Sequence, residues 1–256
     1  MKLLHFSDYH LEYFRKLDTL TVMGIPFHDI IVIGGDFCDI TMFKEYEKEV
    51  IEHLKLLKKK CKKLFWIMGN HEYYGNKKNM VEVEEYLQKK LPFLTIVGLE
   101  PHLELFEDKA IVMSTLWTNF NNFNPLDVLR VRQGINDYSL IRENGEFLEP
   151  EHILGLYVNN TMTIEQYIRE YPEKEFYIIT HHSPSFKSTA EPFVNDPKTS
   201  AYSSNLENLM YDYGNIKYWL HGHLHHDTAY TINKTTIVGT KPKKYYSYDN
   251  GTQYYY

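Results

Sequence analysis

The chain has 256 residues, 43% of them hydrophobic and 24% charged, the composition of a globular protein of one large domain or two small ones. A formal net charge of −6 offers no basic surplus to a phosphate backbone, which disfavours general nucleic-acid binding as its main task. With 2 cysteines, Cys38 and Cys61, the chain has neither a disulfide framework nor a thiolate zinc cluster, so any metal must be held by nitrogen and oxygen, and the 13 histidines become the feature to explain.

In chain order, residues 3–6 form a short apolar run that stops at Ser7-Asp8, too soon for the apolar core of a secretion signal. No stretch approaches the ~20 apolar residues of a membrane span, so a soluble cytoplasmic protein is expected. Four more runs follow at 30–33, 64–68, 176–179 and 217–220, and continuous apolar runs of this length read as strands buried on both faces. Between them, 42–60 repeats apolar residues near the helical period, and 80–91, 151–170 and 204–213 read as further helices, the second stopped by Pro92. Residues 228–256 read as terminal strands with a Tyr-rich end. The alternation predicts an α/β class. Two stretches break it, 118–145 around Pro125 and 183–203 with its three prolines, and loops that long are expected to shape a pocket. With no repeat and no linker, residues 1–256 read as one domain.

Each buried strand ends in residues able to hold a metal. They are Asp8 with His10, Asp36, Asn70 with His71, His181 with His182, and His223 with His225. Open α/β sheets bind ligands beyond the carboxyl ends of their strands. Alternate residues leaving a strand can aim at one centre, a carboxylate can bridge two cations, and the Asn70 carbonyl oxygen adds a ligand without charge. Imidazole with carboxylate suits Mn, Fe, Zn, Ni or Co.

The series Asp8-Tyr9-His10, Gly35-Asp36, Gly69-Asn70-His71-Glu72, His181 and Gly222-His223-Leu224-His225 resembles the calcineurin-like metallophosphoesterase family. The five motifs stand in the family's order and span residues 8 to 225. The resemblance implies a four-layer α/β/β/α sandwich with a binuclear site at one edge of the sheets. It implies that Asp8, His10 and His225 hold one divalent ion, that Asn70, His181 and His223 hold a second, and that Asp36 bridges them, with Mn as the leading candidate. It implies hydrolysis of a phosphodiester or a nucleotide-like phosphomonoester by in-line attack of a bridging hydroxide. His71 would then protonate the leaving group, and Asp39 would orient His71 as the matching carboxylate does in the phosphoprotein-phosphatase branch.

Departures narrow the branch. Ile40-Thr41 after Asp39 and Met68 before Gly69 replace the arginines by which protein phosphatases grip a phosphoprotein, and Asp39 stands where purple acid phosphatases carry a Tyr. The sequence therefore resembles the small single-domain bacterial or phage-type phosphoesterases. A DNA or RNA nuclease, a serine/threonine-type protein phosphatase and a non-catalytic scaffold are the alternatives, and the complete ligand set argues against the last. His182, Tyr9, Arg130 and Arg132 are candidate substrate contacts, with Arg142, Lys187 and Lys198 as further candidate phosphate binders. Glu72 reads as a structural carboxylate, and His5, His28, His53, His102 and His152 as core or surface residues.

Overall fold

The computed structural model describes residues 1–77, 79–249 and 252–255. β1 (Lys2–Phe6) is followed by α1 (Leu11–Phe14), α2 (Thr19–Gly24), β2 (His28–Ile33), α3 (Ile40–Glu45), α4 (Glu47–Lys58), β3 (Cys61–Ile67), α5 (Met80–Lys90) and β4 (Thr95–Val97). Then come β5 (His102–Leu105), β6 (Lys109–Ser114), the turn α6 (Phe120–Phe123), α7 (Pro125–Gly134), α8 (Asp137–Leu140) and the hairpin β7 (Arg142–Glu143) with β8 (Glu146–Phe147). The chain closes with α9 (Pro150–Glu170), β9 (Glu175–Thr180), α10 (Glu207–Asp212), β10 (Ile216–His221), β11 (Thr228–Ile232), β12 (Thr235–Gly239), β13 (Tyr246–Asp249) and β14 (Thr252–Tyr255).

Two six-stranded sheets carry the molecule, in the orders β14-β13-β1-β2-β3-β4 and β11-β12-β10-β9-β6-β5. The inner strands run parallel, and antiparallel β13 and β5 pair at the flanks of β1 and β6. Side chains alternate between two packed layers, as the period of two dictates. Leu3, Ile30, Val32, Phe65 and Ile67 of the first sheet meet Ile111, Met113, Ile179 and Leu220 of the second in one apolar cluster between the sheets. Leu4, Phe6, Ile31, Ile33 and Trp66 point the other way, into a cluster with Val50, Leu54 and Leu57 of α4. Ile178 and Trp219 share that outward-facing cluster with Ile153, Ile164 and Ile168 of α9. The outcome is the α/β/β/α sandwich, with the carboxyl ends of β1, β2, β3, β9 and β10 at one edge.

Differences from the sequence expectation have local causes. The segment 42–60 is two helices, because Asp39 caps α3 through the amide of Met42 and Tyr46 then leaves helical geometry at φ −114°, ψ 31°. The stretch 118–145 is not a loop. Asn124 caps α7 by accepting from the amides of Leu126 and Asp127, with Pro125 in the first turn, an Asn-Pro start signal legible in the sequence. Residues 183–203 hold three 3₁₀ turns, and a parallel bridge between Ser183 and Ser203 ties their ends together. β4, β5 and β6 were not anticipated, although Ala-Ile-Val-Met within β6 is a buried run like the others. Of the Tyr-rich end, Tyr254 and Tyr255 lie in β14, while Tyr256 lies outside the described residues.

Candidate metal centre

The strand ends deliver their side chains to one point by unusual backbone. Asp8, His10, Asp36, His223 and His225 all hold left-handed φ, between 48° and 65°. That conformation costs a residue with a Cβ about 1–2 kcal/mol, and such strain gathers at functional sites. Hydrogen bonds lock these turns: Asp8 N and His10 N donate to Gly35 O and Asp36 O, each at 2.9 Å. Close approach requires two glycines. A Cβ on Gly69 would stand 2.2 Å from Asp36 Oδ1, and one on Gly222 would stand 2.5 Å from Asp8 Oδ2.

The donor atoms fall into two groups that share Asp36. In the first, His225 Nε2 lies 2.9 Å from His10 Nε2 and 3.2 Å from Asp8 Oδ1. In the second, His181 Nε2 lies 3.4 Å from Asp36 Oδ2, 3.3 Å from Asn70 Oδ1 and 3.1 Å from His223 Nδ1. His10 Nε2 is 3.8 Å from the same Asp36 Oδ2. Three sets of side chains, Asp8-His10-His225, His10-Asp36-His71 and Asp36-His181-His223, could each surround an ion.

Neighbouring bonds support metal binding by setting the tautomers. His181 Nδ1 donates to Gly34 O at 2.9 Å, and His10 Nδ1 to Glu12 Oε1 at 2.8 Å. With Nδ1 so engaged, Nε2 is the nitrogen each ring would offer to a bound ion. Asn70 Nδ2 donates to Asp137 Oδ1 at 2.8 Å and to Tyr74 OH at 3.1 Å, which turns Oδ1 toward His181. Glu72, fully buried, accepts from the amides of Asp36, Phe37 and Gly69 and from Trp66 Nε1, tying the ends of β2 and β3 together. Electrostatics agree with the donor chemistry. Burial alone would raise the Asp36 pKa, yet the facing His181 and His71 hold it well below the usual carboxylate range. Burial alone would lower His181, yet Asp36 and Asp8 raise it to about 10. Buried carboxylates here demand positive charge, which protons supply when no cation does.

His71 stands at the edge of this group, its Nε2 3.9 Å from Asp36 Oδ2. Its amide donates to Asp36 Oδ1 at 2.9 Å, its Nδ1 meets Glu12 Oε1 at 2.9 Å, and its ring packs against Tyr74 with centroids 4.3 Å apart. Burial would lower its pKa, but Asp36 and Glu12 raise it to about 9. Among the described residues the carboxylate hydrogen-bonded to the His71 ring is Glu12, whereas Asp39, the expected orienting residue, caps α3, its Oδ1 accepting from Met42 N and Thr41 Oγ1 at 2.6 Å each. Glu12, Asp137 and Tyr74 are the members sequence reading missed or undervalued. Glu12 lies two residues after His10, just beyond the first motif, and its partner His71 is 59 positions away.

A cavity of about 520 Å³ opens on the cluster, lined by His10, Asp36, Asn70, His71, His223 and His225 on one side and by residues of the 134–136 and 189–202 segments on the other. The expected substrate contacts fare differently. Tyr9 is buried against Phe37, its hydroxyl donating to Lys16 O and accepting from Asp18 N, so it does not reach the cavity. His182 is buried behind His223, ring centroids 4.3 Å apart, with Nδ1 donating to Thr115 O, and it does not line the cavity either. Arg130 and Arg132 point away on exposed turns of α7, Arg132 pairing with Glu149 at 2.7 Å. Arg142 covers Phe147, and Lys187 pairs with Glu207. Of the basic candidates, Lys198 alone lines the cavity.

Comparison with known proteins agrees with the fold. The chain is 23% identical to the uncharacterized protein L509 of Acanthamoeba polyphaga mimivirus, over 93% of this chain and 90% of that one. Among solved structures it resembles the phosphopantetheinyl hydrolase PptH of Mycobacterium tuberculosis, with a TM-score of 0.64 at 12% identity, covering 94% of this chain and 89% of that one. It also resembles the calcineurin-like phosphoesterase YfkN of Bacillus subtilis, with a TM-score of 0.54 at 10% identity, covering 100% and 87%. No helix among the described residues is long and apolar enough to cross a membrane. The profile of the calcineurin-like phosphoesterases matches residues 1–227, and the chain belongs to that family.

Proposed function

We propose that this chain is a binuclear metal-dependent phosphohydrolase that cleaves a phosphodiester or a nucleotide-like phosphomonoester. The convergence of imidazole, carboxylate and carboxamide donors into two groups sharing Asp36 carries this reading. Asp8, His10 and His225 would hold one ion, and Asn70, His181 and His223 the other. Two such ions, when bound, neutralise the phosphoryl oxygens and make water a nucleophile at neutral pH. The rest falls to the chain itself. Asp36, held by the His71 amide, fixes the spacing of the two halves. His71, kept protonated by Asp36 and Glu12, faces the cavity and gives its proton to the departing oxygen. The Tyr13 and Tyr74 rings flank His71 and limit the water that reaches it.

The nuclease alternative calls for a basic groove, and Lys198 is the one Lys or Arg among the described cavity residues, which favours a small substrate over a polymer. The test is elemental analysis of protein loaded with Mn, Fe, Zn, Ni or Co, paired with hydrolysis of p-nitrophenyl phosphate and bis-p-nitrophenyl phosphate. Two ions per chain with turnover of either ester is expected. Two bound ions with no turnover under any of the metals refutes the reading.

A further inference from the structure

The cavity far exceeds the needs of one phosphoryl group, since about 520 Å³ lies in the range that takes a whole drug-sized ligand. Beyond the metal-competent cluster its wall carries the aromatic rings of Tyr13, Tyr74, Phe193 and Tyr202, one cation, Lys198, and one further acid, Asp196. Tyr202 lines the cavity and stacks on His223, ring centroids 4.8 Å apart and planes 27° apart, and Tyr74 lines it beside His71. Lys198 is anchored at both ends of its residue: its amide donates to Asp196 Oδ1 at 2.8 Å, and its carbonyl accepts from Ala201 N at 2.9 Å. The alkyl chain lies along Gly134, where a Cβ would come within 3.0 Å of Cδ.

The ammonium of Lys198 has no hydrogen bond or ion pair among the described residues, whereas Lys187 and Arg132 are each spent on a carboxylate. It belongs to the 189–202 part of the cavity wall and forms no ion pair with Asp8 or Asp36. Lys198 is half-buried, and Asp196 shares the cavity wall without forming an ion pair with its ammonium; a cation so placed is a site for a ligand anion.

We propose that the substrate is a nucleotide bearing a second anionic group beyond the scissile phosphoester, with Lys198 binding that group and the Tyr74–Tyr202 wall receiving a ring. The inference rests on the phosphohydrolase reading above and specifies the substrate of the same site. Stacking on such a wall is tolerant of which base is presented, so the selectivity falls on the charge.

The experiment compares two dinucleotides that differ by one anion: adenylyl-(3′,5′)-adenosine with and without a 5′-phosphate. In the metal-loaded enzyme the 5′-phosphorylated dinucleotide should show a kcat/KM about tenfold higher or more, the scale of one charge-assisted hydrogen bond. Lys198→Met should erase that ratio, and Lys187→Met should leave it. Calorimetry on the metal-free protein gives a readout without turnover: the phosphorylated dinucleotide should bind more tightly, and Lys198→Met should make the two equal. Equal binding by the wild type, a ratio that survives Lys198→Met, or an equal loss on both dinucleotides overturns the proposal. So does failure to cleave either dinucleotide while p-nitrophenyl phosphate is turned over. Failure on every ester with both ions bound refutes instead the phosphohydrolase reading beneath it.

Discussion

Replacing Glu12 by Gln separates the two carboxylates that could orient His71. Glu12 Oε1 accepts from His10 at 2.8 Å and from His71 at 2.9 Å, and its side chain is 9% exposed. Gln keeps an acceptor oxygen there and removes the charge. A unit charge at ~4 Å in an effective dielectric of about 20 is worth up to about 4 kcal/mol. Shared between two imidazoles, and secondary to Asp36, the loss should lower the His71 pKa by about 1–2 units. The sign follows from the raised pKa of about 9. The proton-donating form is full at low pH and is lost as pH rises through that value, so the variant should lose activity first on the alkaline side. Bound cations push the His71 pKa down in both proteins together, so the difference between them is the quantity to read. The assay is kcat against pH from 5 to 10 with a poor leaving group, where protonation of the departing oxygen counts most. An alkaline limb displaced downward in Glu12→Gln, and unmoved in Asp39→Asn, is expected. A displaced limb in Asp39→Asn with none in Glu12→Gln refutes the assignment.

Further outcomes follow from the same geometry. His71→Ala should keep both ions and lose about 10²–10⁴-fold in turnover, with the largest loss for poor leaving groups; collapse of metal content would make His71 a ligand instead. Asp137→Ala frees the Asn70 amide to rotate and should weaken one of the two ions by about 10–100-fold in a chelator titration while sparing the other. His5 and His53 are buried with neither ring nitrogen partnered among the described residues, and burial lowers their pKa values to about 3 and about 4. The unfolded chain takes up protons there below pH 6.5 that the fold refuses. Stability present above pH 6.5 should therefore fall, by about 1.4 kcal/mol per pH unit per imidazole, as pH drops toward 4. Urea midpoints from pH 7 to 4.5 measure the slope, and His53→Gln should flatten it.

What the sequence disclosed depends on how local each signal is. Continuous apolar runs revealed the five strands that carry the motifs, because a strand buried on both faces needs no partner in sequence to be recognised. β4 is three residues long and β5 lies half-exposed at a sheet edge, so neither presents an apolar run. The break between α3 and α4 escaped the helical period because both halves keep the same buried face, through Phe43 on one side and Val50, Leu54 and Leu57 on the other. The Asn124-Pro125 start of α7 was legible and was outweighed by the polar composition around it.

The same division runs through the site. Asp8, His10, Asp36, Asn70, His181, His223 and His225 stand in local motifs at strand ends, and the fold brings their donor atoms together. The residues that aim them are set by distance along the chain: Asp137 reaches Asn70 across 67 positions and Glu12 reaches His71 across 59. Short spacing carries no trace of such pairs. A carboxylate near a motif therefore misleads when it has a nearer task, as Asp39 does at the first turn of α3. The arginines of α7 mislead for a related reason, since a helix rotates each residue by about 100° and the turn that faces the cavity is its last, where Gly134 stands, not the exposed turns that carry Arg130 and Arg132. Lys198 earns its place in the cavity wall through the backbone that fixes it beside Gly134, a contact across 64 residues that only the folded chain makes.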